Sequence, residues 1–153
     1  MNLKFAEINI YGSFDEKYKM NFPQVNNNNV STLLNQAEIV LQTAEQITKD
    51  FGMFGVEITF SGDVNNAYEE LHRQLIHQIS ELVERNYELL LSVLYQVDIT
   101  EREIARAERE LPHYNHVEIV AHQVIVRDLK KVLLRRYFKA QNLSQDNSID
   151  SLD

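Results

Sequence analysis

The sequence predicts a mainly α protein with a minor α+β component: a helical bundle of two long helices, one medium and one short helix, with a small two-stranded β element. Three observations predict it. Apolar residues recur at helical spacing through most of residues 33–139. Two short stretches, residues 3–11 and 56–60, alternate as strands do. Capping signals at Asp63, Thr100 and Asn115 mark where further helices start.

In chain order, LKFAEINIY at residues 3–11 puts Leu3 and Phe5 on one face and Ala6, Ile8 and Ile10 on the other, and Gly12 and Ser13 end this strand. Residues 13–30, with Pro23 and the run Asn26 to Asn29, have neither period and read as a long loop able to cover another part of the chain. Leu33, Ala37, Val40, Ala44, Ile47 and Phe51 then form one helical stripe. Asn29 or Ser31 is the expected N-cap, and Gly52 the expected left-handed C-terminal residue. Residues 56–60 alternate strictly, and two strands make a stable sheet only against a helix or with a second copy of the chain.

Asp63 caps an expected helix over residues 64–97, about 50 Å long at the usual rise. Tyr68, Leu71, Leu75, Ile79, Leu82, Leu90, Leu94 and Val97 mark its inner side. Leu89 to Tyr95 is apolar in every direction, so this portion is expected to be enclosed at the centre of the fold. Thr100 with Glu103 has the spacing of a capping box and opens a short helix that Pro112 stops. Asn115 with Glu118 repeats the arrangement and opens the last helix, to about Lys139. Its first half, Val117 to Val126, is apolar on most sides, and its second half is amphipathic. The organisation expected is a single helical domain over residues 1–140, with an N-terminal strand and loop, and a disordered acidic tail at 141–153.

Composition narrows the function. A net charge of -8 repels nucleic acid and anionic membranes, so neither nucleic acid nor a membrane is the expected partner. The absence of cysteine removes disulfide frameworks, thiolate zinc sites and cysteine nucleophiles. Runs such as Leu89 to Leu91 are far too short to span a membrane, and the first ten residues lack the apolar core of a secretory signal, so the expected location is the cytoplasm. No glycine-rich phosphate loop and no serine elbow is present, and no cofactor is expected.

Two constellations carry chemistry. Glu69 and His72 have the Glu-x-x-His spacing with which helical di-iron proteins present two ligands on one face. A counterpart at Glu118 and His122 is spaced by four, and Glu118 is already needed at the cap of Asn115. A metal-binding helical-bundle enzyme using Glu69, His72 and His122 is therefore the alternative rather than the preferred reading. His113 and His116 lack a third ligand and read as loop residues. The second constellation is a basic ridge. Residues 127–139 hold six Lys or Arg and one Asp, whereas residues 1–126 hold nine basic and 19 acidic residues. Arg127, Lys130, Lys131, Arg135 and Arg136 are the partner-binding candidates; the competing expectation is that they complement the helix C-terminus and acids of the same chain or its copy. A second alternative is nucleic-acid binding through this helix, without the interleaved aromatics usual for single strands.

The segment LLLSVLYQVDITEREI, followed by VIVRDLKKVLLRRYF, resembles a pattern in small bacterial proteins of unassigned function. The resemblance covers the C-terminal half and implies no activity for Tyr95, Asp98, Arg127 or Lys131. The residues themselves predict that Asp98 accepts a hydrogen bond or salt bridge from Arg127 or Lys131 when the last helix folds back. The preferred function is a non-catalytic, protein-binding helical protein, an adaptor, chaperone-like or structural subunit that forms a homo-oligomer. Its motive is the two apolar stretches, Leu89 to Tyr95 and Val117 to Val126, whose many sides call for more cover than one copy provides.

Overall fold

A computed structural model describes residues 24–150, with side chains as far as residue 143. The strand expected at residues 3–11 lies outside the described residues. The described elements are α1 (Val30–Leu33), α2 (Ala37–Gly52), a 3-10 turn (Val64–Asn66), α3 (Ala67–Arg85), α4 (Tyr87–Val97), α5 (Glu101–Glu110) and α6 (His116–Asp150). The mainly helical prediction holds. The chain divides into two units, of which the larger is Val25–Arg136 and the other includes the end of α6 from Tyr137. Among the described residues no helix is long and apolar enough to cross a membrane.

Within the larger unit, the asparagine run makes its own turn. Asn26 Oδ1 accepts from the backbone N–H of Asn28 and Asn29 at 2.8 and 3.0 Å, while Asn29 Oδ1 accepts from Asn26 N–H. The expected stripe of α2 is buried at Val40, Ala44, Ile47 and Phe51, but the helix begins at Ala37 rather than Leu33. Gly52 ends α2 without taking the left-handed conformation; Gly55 does, with φ 74°.

The second expected strand is absent among the described residues. Val56 and Ile58 are buried and Glu57 and Thr59 exposed, so the alternation is real. The partner is a helix. Gln74 on α3 accepts from Thr59 N–H at 2.9 Å and donates its amide to the Thr59 carbonyl, imitating a neighbouring strand. Glu70 takes the N–H and hydroxyl of Ser61 at 2.9 and 2.8 Å. Helix side chains thereby satisfy the backbone groups that a second strand would have paired.

The helix expected over residues 64–97 is two helices. Asn86, at φ -155°, leaves the helical region, and its side chain accepts from Leu89 N–H to cap α4. Asp98 ends α4 in the left-handed region at φ 72°, and Ile99 N–H reaches back to the Leu94 carbonyl at 3.0 Å. This is the closing pattern usually given to glycine. Both expected capping boxes form, Thr100 with Glu103 and Asn115 with Glu118.

The centre of the fold is α6, not α4. Every residue from 119 to 129 is buried, with Ile119, Val124, Ile125 and Leu129 fully so. Phe51 and Ile47 of α2, Leu71, Leu75 and Ile79 of α3 and Val93 and Val97 of α4 complete the core. The Val117 to Val126 stretch is therefore sheltered within one copy, apart from the partly exposed Val117 and Glu118. Beyond Arg136, α6 continues to Asp150, where Tyr137 and Phe138 meet edge to face with ring centres 5.6 Å apart.

Candidate functional site

Once α6 takes the centre, α4 is left with one covered and one open side. Leu90, Val93 and Val97 face the core. Leu91 is 49% exposed and Tyr95 76%, which corrects the expectation that this portion is enclosed. With Val83 and Tyr87, exposed at 42% and 57%, they stand at successive intervals of four residues and make an apolar stripe across the α3–α4 junction. Beside the stripe lies a groove of about 710 Å³, walled by the end of α3, α4, α5 and the start of α6. Leu90, Leu94, Ile99, Ile104, Val117 and Val120 supply apolar lining.

The groove's polar lining consists of Glu101, Glu108 and His116, and no lysine or arginine lines it among the described residues. Residues 101, 104, 105 and 108 occupy one face of α5, so Ile104 and Ala105 are flanked by a carboxylate at each end. Glu108 Oε1 lies 2.7 Å from His116 Nδ1. Glu84 and Glu88, both exposed, follow Val83 and Tyr87 in sequence, and the exposed Arg85 between them pairs with Glu81 at 3.2 Å. The arrangement is thus an apolar trough with acidic lips.

The metal candidates separate. His72 and His122 come together, with ring centres 6.4 Å apart, but Glu69 is exposed and Glu118 is held at its cap. His72 Nε2 donates to the Glu118 carbonyl at 2.9 Å, and His122 Nε2 to the Asn27 carbonyl at 3.0 Å. A carbonyl only accepts, so Nε2 of His122 carries its proton and Nδ1 accepts from the Tyr68 hydroxyl at 2.5 Å. Tyr68 is in turn 3.2 Å from the Tyr114 hydroxyl. Burial, then the neighbouring His72, lowers the His122 pKa to about 4; burial, then the Tyr114 hydrogen bond, raises that of Tyr68. Tyr68, Tyr114 and His122 form a hydrogen-bonded strut in which burial favours the neutral imidazole of His122. Asn27 joins it to α5 and α6 by donating to Glu110 and accepting from Gln123 at 2.7 Å, so the asparagine loop does cover something. Among the described residues no three His, Asp or Glu side chains converge to hold a metal ion.

Most of the basic ridge meets acids of the same chain. Arg127 donates to Asp98 at 2.7 Å, as the sequence predicted for a folded-back last helix. Lys131 lies 3.5 Å from Asp50 and 3.2 Å from Asp128, and Arg136 donates to Glu38 and Gln42 at 3.1 and 3.2 Å. Lys130 is half-buried, and its pKa is lowered chiefly by that burial, against the attraction of Glu103. Arg135 is exposed. Burial, opposed by Lys131 and reinforced by Asp50, raises the Asp128 pKa well above the carboxylate range. Burial thereby favours the neutral form of the Asp128 carboxyl.

The groove was missed in the sequence although its signal, Val83, Tyr87, Leu91 and Tyr95 at steps of four, was present. Too many apolar directions on α4 made enclosure look necessary. The chain matches no protein-family model, no curated protein and no solved structure.

Proposed function

We propose that this chain is a non-catalytic protein-binding module whose working surface is the groove beside α4. One observation carries the reading: an apolar stripe, Val83 at the end of α3 with Tyr87, Leu91 and Tyr95 on α4, stands exposed at the mouth of a groove of about 710 Å³. Exposed contiguous apolar surface with a polar rim is characteristic of a recognition site, because leaving it in water is unfavourable unless another molecule covers it. The two groups best suited to acid–base work in the lining, Glu108 and His116, are bound to each other. The engagement of Arg127, Lys131 and Arg136 with acids of the same chain favours the groove over the basic ridge as the partner surface.

The test uses the full chain in two measurements. Native mass spectrometry should show no small molecule held stoichiometrically, and an apolar dye such as anilinonaphthalene sulfonate should brighten on the folded protein. The dye signal should fall by at least about half in Leu91→Gln and Leu94→Gln, since burying either leucine accounts for about 2 kcal/mol of apolar transfer. A tightly held lipid or cofactor would overturn the reading in favour of a carrier or enzyme. A dye signal unaffected by both substitutions would also sink it.

A further inference from the structure

We infer that the occupant of the groove is an amphipathic helix of another protein, its apolar face bordered by lysine or arginine. This inference rests on the binding-module reading and specifies the partner. Backbone chemistry selects the form. The walls are helices, and the described residues include no strand, so the groove presents no strand edge on which an extended peptide could pair its N–H and C=O groups. A segment entering apolar surroundings must then satisfy its backbone internally, which a helix does. On α4 the exposed stripe, Tyr87 to Tyr95, runs for about 12 Å at helical rise, enough for two turns with anchors spaced by three and four residues, and Val83 of α3 extends it.

Charge selects the flanks. Glu101 and Glu108 line the groove, Glu84 and Glu88 are exposed next to Val83 and Tyr87 in sequence, and among the described residues no lysine or arginine lines the groove, where Glu108 meets His116. A second copy seated here would set these acidic lips against acids of its own α4 stripe. A helix with cationic borders sets opposite charges across both lips while burying leucine-sized side chains on Leu91, Leu94 and Ile99.

The experiment compares two fluorescent helical peptides of about 18 residues, long enough to hold a helix in water. Both carry the same leucine stripe; one has lysine and the other glutamate beside it. Anisotropy titrations against the full chain should show the lysine peptide binding at least about tenfold more tightly, equivalent to about 1.4 kcal/mol. Half-molar salt should narrow that preference. Glu101→Gln/Glu108→Gln, checked by circular dichroism for retained helix, should remove most of it, whereas Glu45→Gln/Glu57→Gln, the same charge change outside the groove, should leave it intact. Leu91→Gln should weaken the lysine peptide. Equal affinity for both peptides, or a preference lost equally in the control variant, overturns the charge selection while leaving the groove as a binding surface. A micromolar dimer, seen by sedimentation and abolished by Leu91→Gln, would make a second copy the occupant and overturn the inference. Binding of neither peptide, with no such dimer, would overturn the module reading itself.

Discussion

Replacing Asp98 separates two demands that one residue meets. Its carboxylate accepts from Arg127 at 2.7 Å, with the two side chains only 14% and 8% exposed, and its backbone sits at φ 72°. Breaking a buried ion pair from one side costs about 3 kcal/mol, at the lower end here because Asp98 keeps some contact with water. The left-handed backbone adds about 1 kcal/mol for an alanine, which lacks the polar side chain that lets Asp and Asn tolerate this region. Asp98→Ala should therefore destabilise the fold by about 4 kcal/mol and Asp98→Gly by about 3 kcal/mol, since glycine relieves the backbone but not the lost pair. Asp98→Asn should cost about 1 to 2 kcal/mol, because its amide oxygen still accepts from the guanidinium and the backbone remains comfortable. Urea unfolding at pH 7 followed by far-ultraviolet circular dichroism reads all three, the chain having no tryptophan for fluorescence. An alanine variant within about 0.5 kcal/mol of the parent would refute the ion-pair reasoning, because exposed pairs contribute only that much. Equal losses for alanine and glycine would refute the backbone part.

Three further outcomes follow from the buried polar groups. His122 has a pKa lowered to about 4, so the unfolded chain binds its proton first; between pH 6.5 and 4 the fold should lose about 3 kcal/mol through this residue, a slope missing in His122→Gln. Asp128 has the opposite sign, since its raised pKa makes its contribution complete in acid and progressively lost as pH rises above about 4. Asp128→Asn should remove that loss, at up to about 1.4 kcal/mol per pH unit, and denaturant midpoints that fall equally with pH in parent and variant would contradict the neutral-carboxyl assignment. Gln74→Ala withdraws both hydrogen bonds from the Thr59 backbone, and should cost about 1 to 2 kcal/mol and speed amide exchange at Thr59; unaltered exchange there would mean that the strand-like pairing contributes nothing.

What could be read from the chain alone was local. The capping boxes at Thr100 and Asn115, the cap at Asp63 and the stop before Pro112 join groups within three or four residues, so neighbours in sequence suffice to predict them. Asp98 and Arg127 were also paired correctly, because the end of one helix and the folding back of the next restrict which charges can meet. Residues 56–60 show where that stops. Alternation set which side chains are buried, but whether the backbone pairs with a strand or with Gln74 and Glu70 depends on which element lies alongside. The break at Asn86 was equally hidden, since its polar side chain fits a solvated helix face as well as a cap. The candidate site was the least legible part. Two helices with apolar residues on most sides compete for one interior, and hydrophobic pattern alone ranks them alike. Tertiary packing placed α6 inside and left Leu91 and Tyr95 of α4 in water, because a core of this size encloses only one helix from all directions.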